Sequence, residues 1–169
     1  MATIATPFFL QPMKPYGVRE LSRITHTDTK TVMKYLKELV RTKIIIRKKE
    51  KGKYPYYEAN RTSYSYRHEK SEALLRKIIQ SGVIEFLEER FSPKAIVLFG
   101  SVQKGTYHSE SDIDIFISAP YQRVDLSAFN RKIGHALQLF CEENLPSLSK
   151  GLLTNIYNGL VLAGKLEIP

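Results

Sequence analysis

An apolar run, Ala95-Ile96-Val97-Leu98-Phe99, leads straight into Gly100-Ser101, and ten residues later comes Ser111-Asp112-Ile113-Asp114-Ile115-Phe116-Ile117. The first stretch reads as a buried strand that ends in a tight turn. The second alternates, with Asp112, Asp114 and Phe116 on one face and Ile113, Ile115 and Ile117 on the other. Both carboxylates therefore leave one side of a rigid element, with Cα atoms roughly 6.5 Å apart. Acids that close repel unless a cation sits between them. A hard divalent ion with oxygen ligands fits, and Mg²⁺ (or Mn²⁺) is the usual one beside phosphate. The Gly-Ser turn has a matching use: glycine allows close backbone approach, and hydroxyl and amides hold a terminal phosphate. Carboxylates, divalent metal and a triphosphate make the layout for in-line phosphoryl or nucleotidyl transfer.

Charge divides the chain. Of 169 residues with a net charge of +9, residues 1–67 hold 15 Lys/Arg against 5 Asp/Glu. The remainder hold 11 against 12, so the whole excess lies in the first part. Such asymmetry points to a basic nucleic-acid-binding module joined to a near-neutral one. The Tyr/Ser stretch from Thr62 to Tyr66 is the expected junction. A single cysteine, Cys141, excludes an internal disulfide and a Cys-rich metal site. No apolar run is long enough to span a bilayer, and no basic region precedes the apolar residues of Met1 to Leu10, so a cytoplasmic location without a membrane is expected.

Within the basic part, Val18 to Thr25 reads as a short helix with Val18, Leu21 and Ile24 on one side, followed by a turn at His26-Thr27. Asp28 stands at an N-cap position. Val32, Leu36, Leu39 and Val40 make an apolar helical face, and Lys30, Lys34, Lys37 and Arg41 a basic stripe opposite. Ile44–Lys49, a charged turn at Glu50–Lys53, and Tyr54–Glu58 read as a hairpin. Helix, turn, basic helix and basic hairpin resemble a winged helix-turn-helix. The resemblance implies double-stranded DNA as partner. Thr29, Lys30, Thr31, Lys34 and Lys37 would face bases or phosphates, and Arg47, Lys48, Lys49, Lys51 and Lys53 would contact phosphates from the wing. The region is small, so core shared with the second domain or a partner subunit is expected, as is a homo-oligomer.

Two further helices are expected, over Glu69–Gln80 and from Val83 to Phe91, broken by Ser81-Gly82. An apolar strand, Gly-Ser, about ten residues and Asp-apolar-Asp resemble the DNA polymerase β-type nucleotidyltransferase superfamily. The likeness is closest to the minimal nucleotidyltransferases of archaea and bacteria, with their Gly-Ser-x-Ala-Arg-Gly loop. Here the loop reads Gly100-Ser101-Val102-Gln103-Lys104-Gly105, with Lys104 for the arginine. Lysine keeps the charge and loses the bidentate fork. A winged helix ahead of such a domain also resembles archaeal proteins. The implied fold class is α+β: a winged helix-turn-helix over 1–66, then a small mixed sheet with helices on one face over 67–169, of which 67–92 form connecting helices.

The resemblance implies metal-dependent transfer of a nucleoside monophosphate, AMP from ATP foremost, to a hydroxyl on a protein or nucleic acid. Asp112 and Asp114 would be catalytic and hold the metal. Gly100, Ser101, Lys104 and Ser111 would hold the nucleotide. Relatives of this type act as antitoxin-like partners of small helical toxins, which suggests such a protein partner. The pattern departs in one place. The family usually has a third carboxylate on a later strand, and His135–Cys141, read as that strand, carries Gln138 there. A helix over Asp125–Ile133, capped by Asp125 or Ser127 and ended by Gly134, precedes it. Three readings stay open: two aspartates suffice, Glu142 or Asp125 takes the role, or the domain binds nucleotide without turnover. The last makes the chain a DNA-binding regulator. Tyr107 and His108 read as exposed loop residues, His135 is ambiguous, and Cys141 reads as core-facing. Leu152–Leu162 reads as a packing helix with a short strand end and no chemistry.

Overall fold

The computed structural model describes residues 2–167 and divides into two compact units, Met1–Lys70 and Ser71–Pro169. In the first unit the order is α1 (Ala2–Leu10), β1 (Tyr16–Gly17), α2 (Val18–Ile24), α3 (Thr29–Arg41), β2 (Ile45–Lys48) and β3 (Tyr56–Ala59). The strands form an antiparallel sheet in the order β1-β3-β2, with Arg47 and Tyr16 both opposite Tyr57. Asp28 caps α3: its Oδ1 accepts from the Thr31 N–H at 2.9 Å. Val32, Leu36 and Leu39 are buried along one face of the helix, as the helical spacing of apolar residues requires. In α2 only Leu21 is buried, while Ile24 is 48% exposed. The returning strand starts later than the sequence suggests, at Tyr56, because Pro55 has no N–H for a ladder. α1 was not anticipated from sequence. It closes the core with Phe8, against whose carbonyl the buried Tyr66 hydroxyl donates at 2.9 Å. The expected Thr62–Tyr66 junction is helical from Tyr64, since Ser63 Oγ accepts from the Tyr66 N–H.

α4 (Tyr64–Ser81) runs on into the second unit. There α5 (Val83–Phe91), β4 (Ala95–Phe99), α6 (Gly100–Gln103), β5 (Ile113–Ile117), α7 (Ser127–Ile133), β6 (Leu137–Cys141), a 3₁₀ turn at Leu145–Ser147, α8 (Lys150–Tyr157) and β7 (Leu160–Gly164) follow. The sheet order is β6-β5-β4-β7, antiparallel except for the β5/β6 pair. One face, with Ile96, Leu98, Ile113, Ile115 and Ile117, packs on Leu74, Ile78, Val83 and Leu87. The other, with Val97, Phe99 and Phe116, packs on Leu145 and Ile156.

Helices thus cover both faces, not one as the sequence suggested. All five residues of β4 are apolar and buried, and a strand of that kind must be covered twice. The C-terminal stretch is also more than a packing helix with a strand end. α8 supplies the second layer, capped by Ser149 Oγ accepting from the Leu152 N–H, and β7 is a full edge strand. At α7 neither expected cap stands at the N-cap, which is Leu126. Asp125 Oδ1 instead accepts from the Ser127 N–H at 2.9 Å.

Candidate active site and basic surface

Gly100 sits at φ +78°, a left-handed conformation that glycine adopts without steric cost. A Cβ there would overlap Asp114 Oδ2. The glycine therefore has two reasons: it turns the chain out of β4, and it leaves room for the Asp114 carboxylate against its Cα. Asp114 faces Phe99 across the β4/β5 ladder, so its position is set by sheet pairing rather than by a flexible loop. Asp112 lies one residue before β5 and is exposed, whereas Asp114 is half-buried. Burial first, and the charge of Asp112 second, push the Asp114 carboxyl above its ordinary value. Among the described residues neither carboxylate has an ion pair or a hydrogen bond, and no group of three or more His, Cys, Asp or Glu gathers. Two unneutralised oxygen donors, one of them partly desolvated, fit a hard divalent cation.

Ser101, next to Gly100, is half-buried, and its carbonyl accepts from the Thr106 N–H at 3.0 Å. Its hydroxyl has no hydrogen-bond partner among the described residues, so it is free to meet a ligand. Lys104 is exposed, with Nζ 3.5 Å from Asn155 Oδ1 on α8. Sequence reasoning gave α8 no part here. No local signal identifies Asn155, because the contact spans 51 residues. Ser111 Oγ accepts from the His108 N–H at 3.0 Å, which shapes the loop ahead of Asp112.

Gln138 is in register with Asp114 across the parallel β5/β6 pair. It is exposed and shares the Asp114 face. Both acids considered in its place are hydrogen-bonded elsewhere. Glu142 is four residues further along, about 13 Å by strand rise, where its Oε1 accepts from the Asn144 N–H. Asp125 is occupied with Ser127. Tyr107 is not an exposed loop residue: it is buried in the core, edge-on to His135, while His108 is exposed. Its ring joins the core cluster that holds Ile113 and Leu137, and burying an aromatic ring removes a large apolar area from water. Cys141 packs half-buried against the same core, and burial pushes its thiol up.

On the first unit, Thr29, Lys30, Lys34 and Lys37 of α3 are exposed and Thr31 is half-buried. Among the described residues Lys30, Lys34 and Lys37 have no ion-pair partner, and neither do Arg47, Lys49 and Lys51. Lys48 pairs with Glu58 at 2.7 Å and Lys53 with Glu50 at 2.6 Å, so these two are partly neutralised. No curated protein and no solved structure matches the chain. Residues 81–153 match a family model described as Nucleotidyltransferase domain. The stretch that carries Gly100, Ser101, Asp112, Asp114 and Gln138 is thus similar to the nucleotidyltransferase domain family, whose chemistry is transfer of a nucleoside monophosphate.

Proposed function

We propose that the chain transfers a nucleoside monophosphate, AMP from ATP foremost, to an acceptor on a nucleic acid or on a partner protein, and that its basic unit holds double-stranded DNA. The carrying observation is the half-buried Asp114 carboxylate, seated against Gly100 beside Asp112 without a neutralising partner among the described residues. Such a pair is costly unless it serves a cation. Asp112 and Asp114 would hold Mg²⁺ or Mn²⁺, which when bound supplies charge neutralisation at the triphosphate. The unpartnered Ser101 hydroxyl and the Gly100 amide would orient phosphate oxygens, and the Lys104 ammonium would add a point charge. Ser111 supports the site by holding the loop ahead of Asp112.

The DNA-binding part rests on the α-β-α-α-β-β order, the hairpin and the ion-pair-free lysines of α3. Thr29, Lys30, Thr31, Lys34 and Lys37 would meet the groove. Arg47, Lys49 and Lys51, with Lys48 and Lys53 once released from their glutamates, would meet the backbone. Phosphate contacts give affinity and base edges give choice.

The test is label transfer from α-³²P nucleoside triphosphates with Mg²⁺ or Mn²⁺, using host lysate as the acceptor source and Asp114→Asn as control. A labelled species that vanishes with Asp114→Asn supports the transferase. Equal labelling by both proteins removes the site assignment. One observation favours a second reading, a DNA-binding regulator that only binds nucleotide: the residue beside Asp114 is Gln138, which accepts no proton. Nucleotide retention without transfer to any acceptor would select it.

A further inference from the structure

The turn between β2 and β3 carries a ring among its lysines. Tyr54 is 89% exposed, more than any other large apolar side chain among the described residues. Just ahead of it, residues 47–53 hold five Lys/Arg against one Glu. An aromatic ring left in water forgoes the stabilisation that its area ordinarily contributes on burial. Two other tyrosines are nearly as exposed, in different settings. Tyr64 stacks on His68, with ring centroids 5.7 Å apart. Tyr121 lies outside the basic part of the chain. Tyr54 makes no ring contact among the described residues.

The backbone under the ring is held in place. The Lys53 N–H donates to the Glu50 carbonyl at 3.2 Å. The Glu50 carboxylate accepts from Lys53 Nζ at 2.6 Å and from the Tyr56 hydroxyl at 3.3 Å. Glu50 thus ties the two sides of the turn together. Pro55 follows Tyr54 and restricts it to extended conformations. A tyrosine on such a frame has only two side-chain torsions left to fix on binding.

The charge around the ring selects its partner. Arg47, Lys49 and Lys51 have no ion pair among the described residues, so they draw a polyanion and repel a basic surface. On a nucleic acid the phosphates satisfy the cations, and the bases alone offer a π-face to the ring. Inside a duplex each base face is covered by its neighbours. A ring reaches one only at an unpaired base or at a step that it unstacks. Resting on the DNA-binding reading, we infer that Tyr54 stacks on a nucleobase from the tip of the hairpin. The first unit therefore prefers duplex DNA that contains an unpaired base to a fully paired duplex.

The experiment measures binding of the full-length protein to two short duplexes over a salt series. They share one sequence, and the second carries a single unpaired fluorescent purine. Tyr54→Ala and Tyr54→Phe are run beside the parent, and the exposure of the position lets both variants fold. The parent binds the second duplex about tenfold more tightly and changes the fluorescence of the purine. Tyr54→Ala loses the preference and the fluorescence change. Its log–log salt slope stays that of the parent, because no phosphate contact has been removed. Tyr54→Phe keeps the preference, since the π-face remains. Preference retained by Tyr54→Ala overturns the inference. A shallower slope in Tyr54→Ala, or a preference lost in Tyr54→Phe, overturns it as well and assigns the hydroxyl to a phosphate. Equal binding of both duplexes by the parent removes the stacking and leaves DNA binding standing. Binding of neither removes the DNA-binding reading beneath it.

Discussion

The basic stripe of α3 and the acidic pair at β5 present charge by opposite means. Lys30, Lys34 and Lys37 stand in solvent on long flexible stems, without ion pairs among the described residues. Asp114 is short, half-buried and wedged against Gly100 by a strand register. A solvated stripe acts as a sum: each lysine adds an increment, and salt screens all of them. A wedged carboxylate acts as a part: its value depends on where its oxygens sit, and sub-ångström displacement matters. The first arrangement suits a long, uniform polyanion, the second a single reacting phosphorus.

The sharpest way to break this contrast is to remove one charge from each region. Asp114→Asn should lower nucleotide transfer on the order of 10³-fold with folding retained, as expected when charge stabilisation at the reacting centre is lost; single-turnover label transfer reads it. Next in size is Lys30→Glu with Lys34→Glu. The double variant should bind duplex DNA about 10²-fold more weakly at low salt, and its log–log salt slope should be shallower by about 2. An unchanged slope in a gel-shift series would take α3 off the DNA.

Gly100→Ala tests the wedge without touching charge. A Cβ that overlaps Asp114 Oδ2 at a left-handed φ should cost about 1–3 kcal/mol of stability and depress transfer, both readable on one preparation.

The pH dependence tests the same carboxylate. Because Asp114 titrates above its ordinary 3.8 when folded, its contribution to stability is complete below that pH and is lost as pH rises through the folded value. In chelator, Asp114→Asn should therefore melt higher than the parent at about pH 7, and the gap should close toward about pH 3. Added Mg²⁺ should raise the parent's Tm and leave the variant's unmoved.

The smallest effect belongs to Asp28→Ala. It removes the acceptor for the Thr31 N–H and should lower Tm by a few degrees while weakening DNA binding through α3.

How much of this was legible varies along the chain. The N-cap at Asp28, the apolar face of α3 and the strand Ala95–Phe99 are local patterns of four to nine residues, and the structure carries each of them; of the Asp112/Asp114 alternation it carries the part from Ile113 on, where β5 starts. Two further features follow from equally local rules: Pro55 delays the start of β3, and the five consecutive apolar residues of β4 demand two covering layers. No local pattern marks Tyr107 as buried, since its loop is polar on both sides and its burial comes from core residues such as Ile113 and Leu137. The part Asn155 plays beside Lys104 had no signal at all in the sequence.

By itself the sequence determined which residue types stand ready for chemistry: two acids two residues apart, a Gly-Ser turn, and a row of lysines at helical spacing. Backbone periodicity and steric limits act within a few residues, so these features are set before the chain closes on itself. Tertiary structure alone decided that Asp114 lies on the Cα of Gly100, that Gln138 stands in register beside it, and that His135 lies edge-on to the buried Tyr107. Those placements depend on strand pairing between segments far apart in the chain. There a one-residue change of register would turn every side chain to the opposite side.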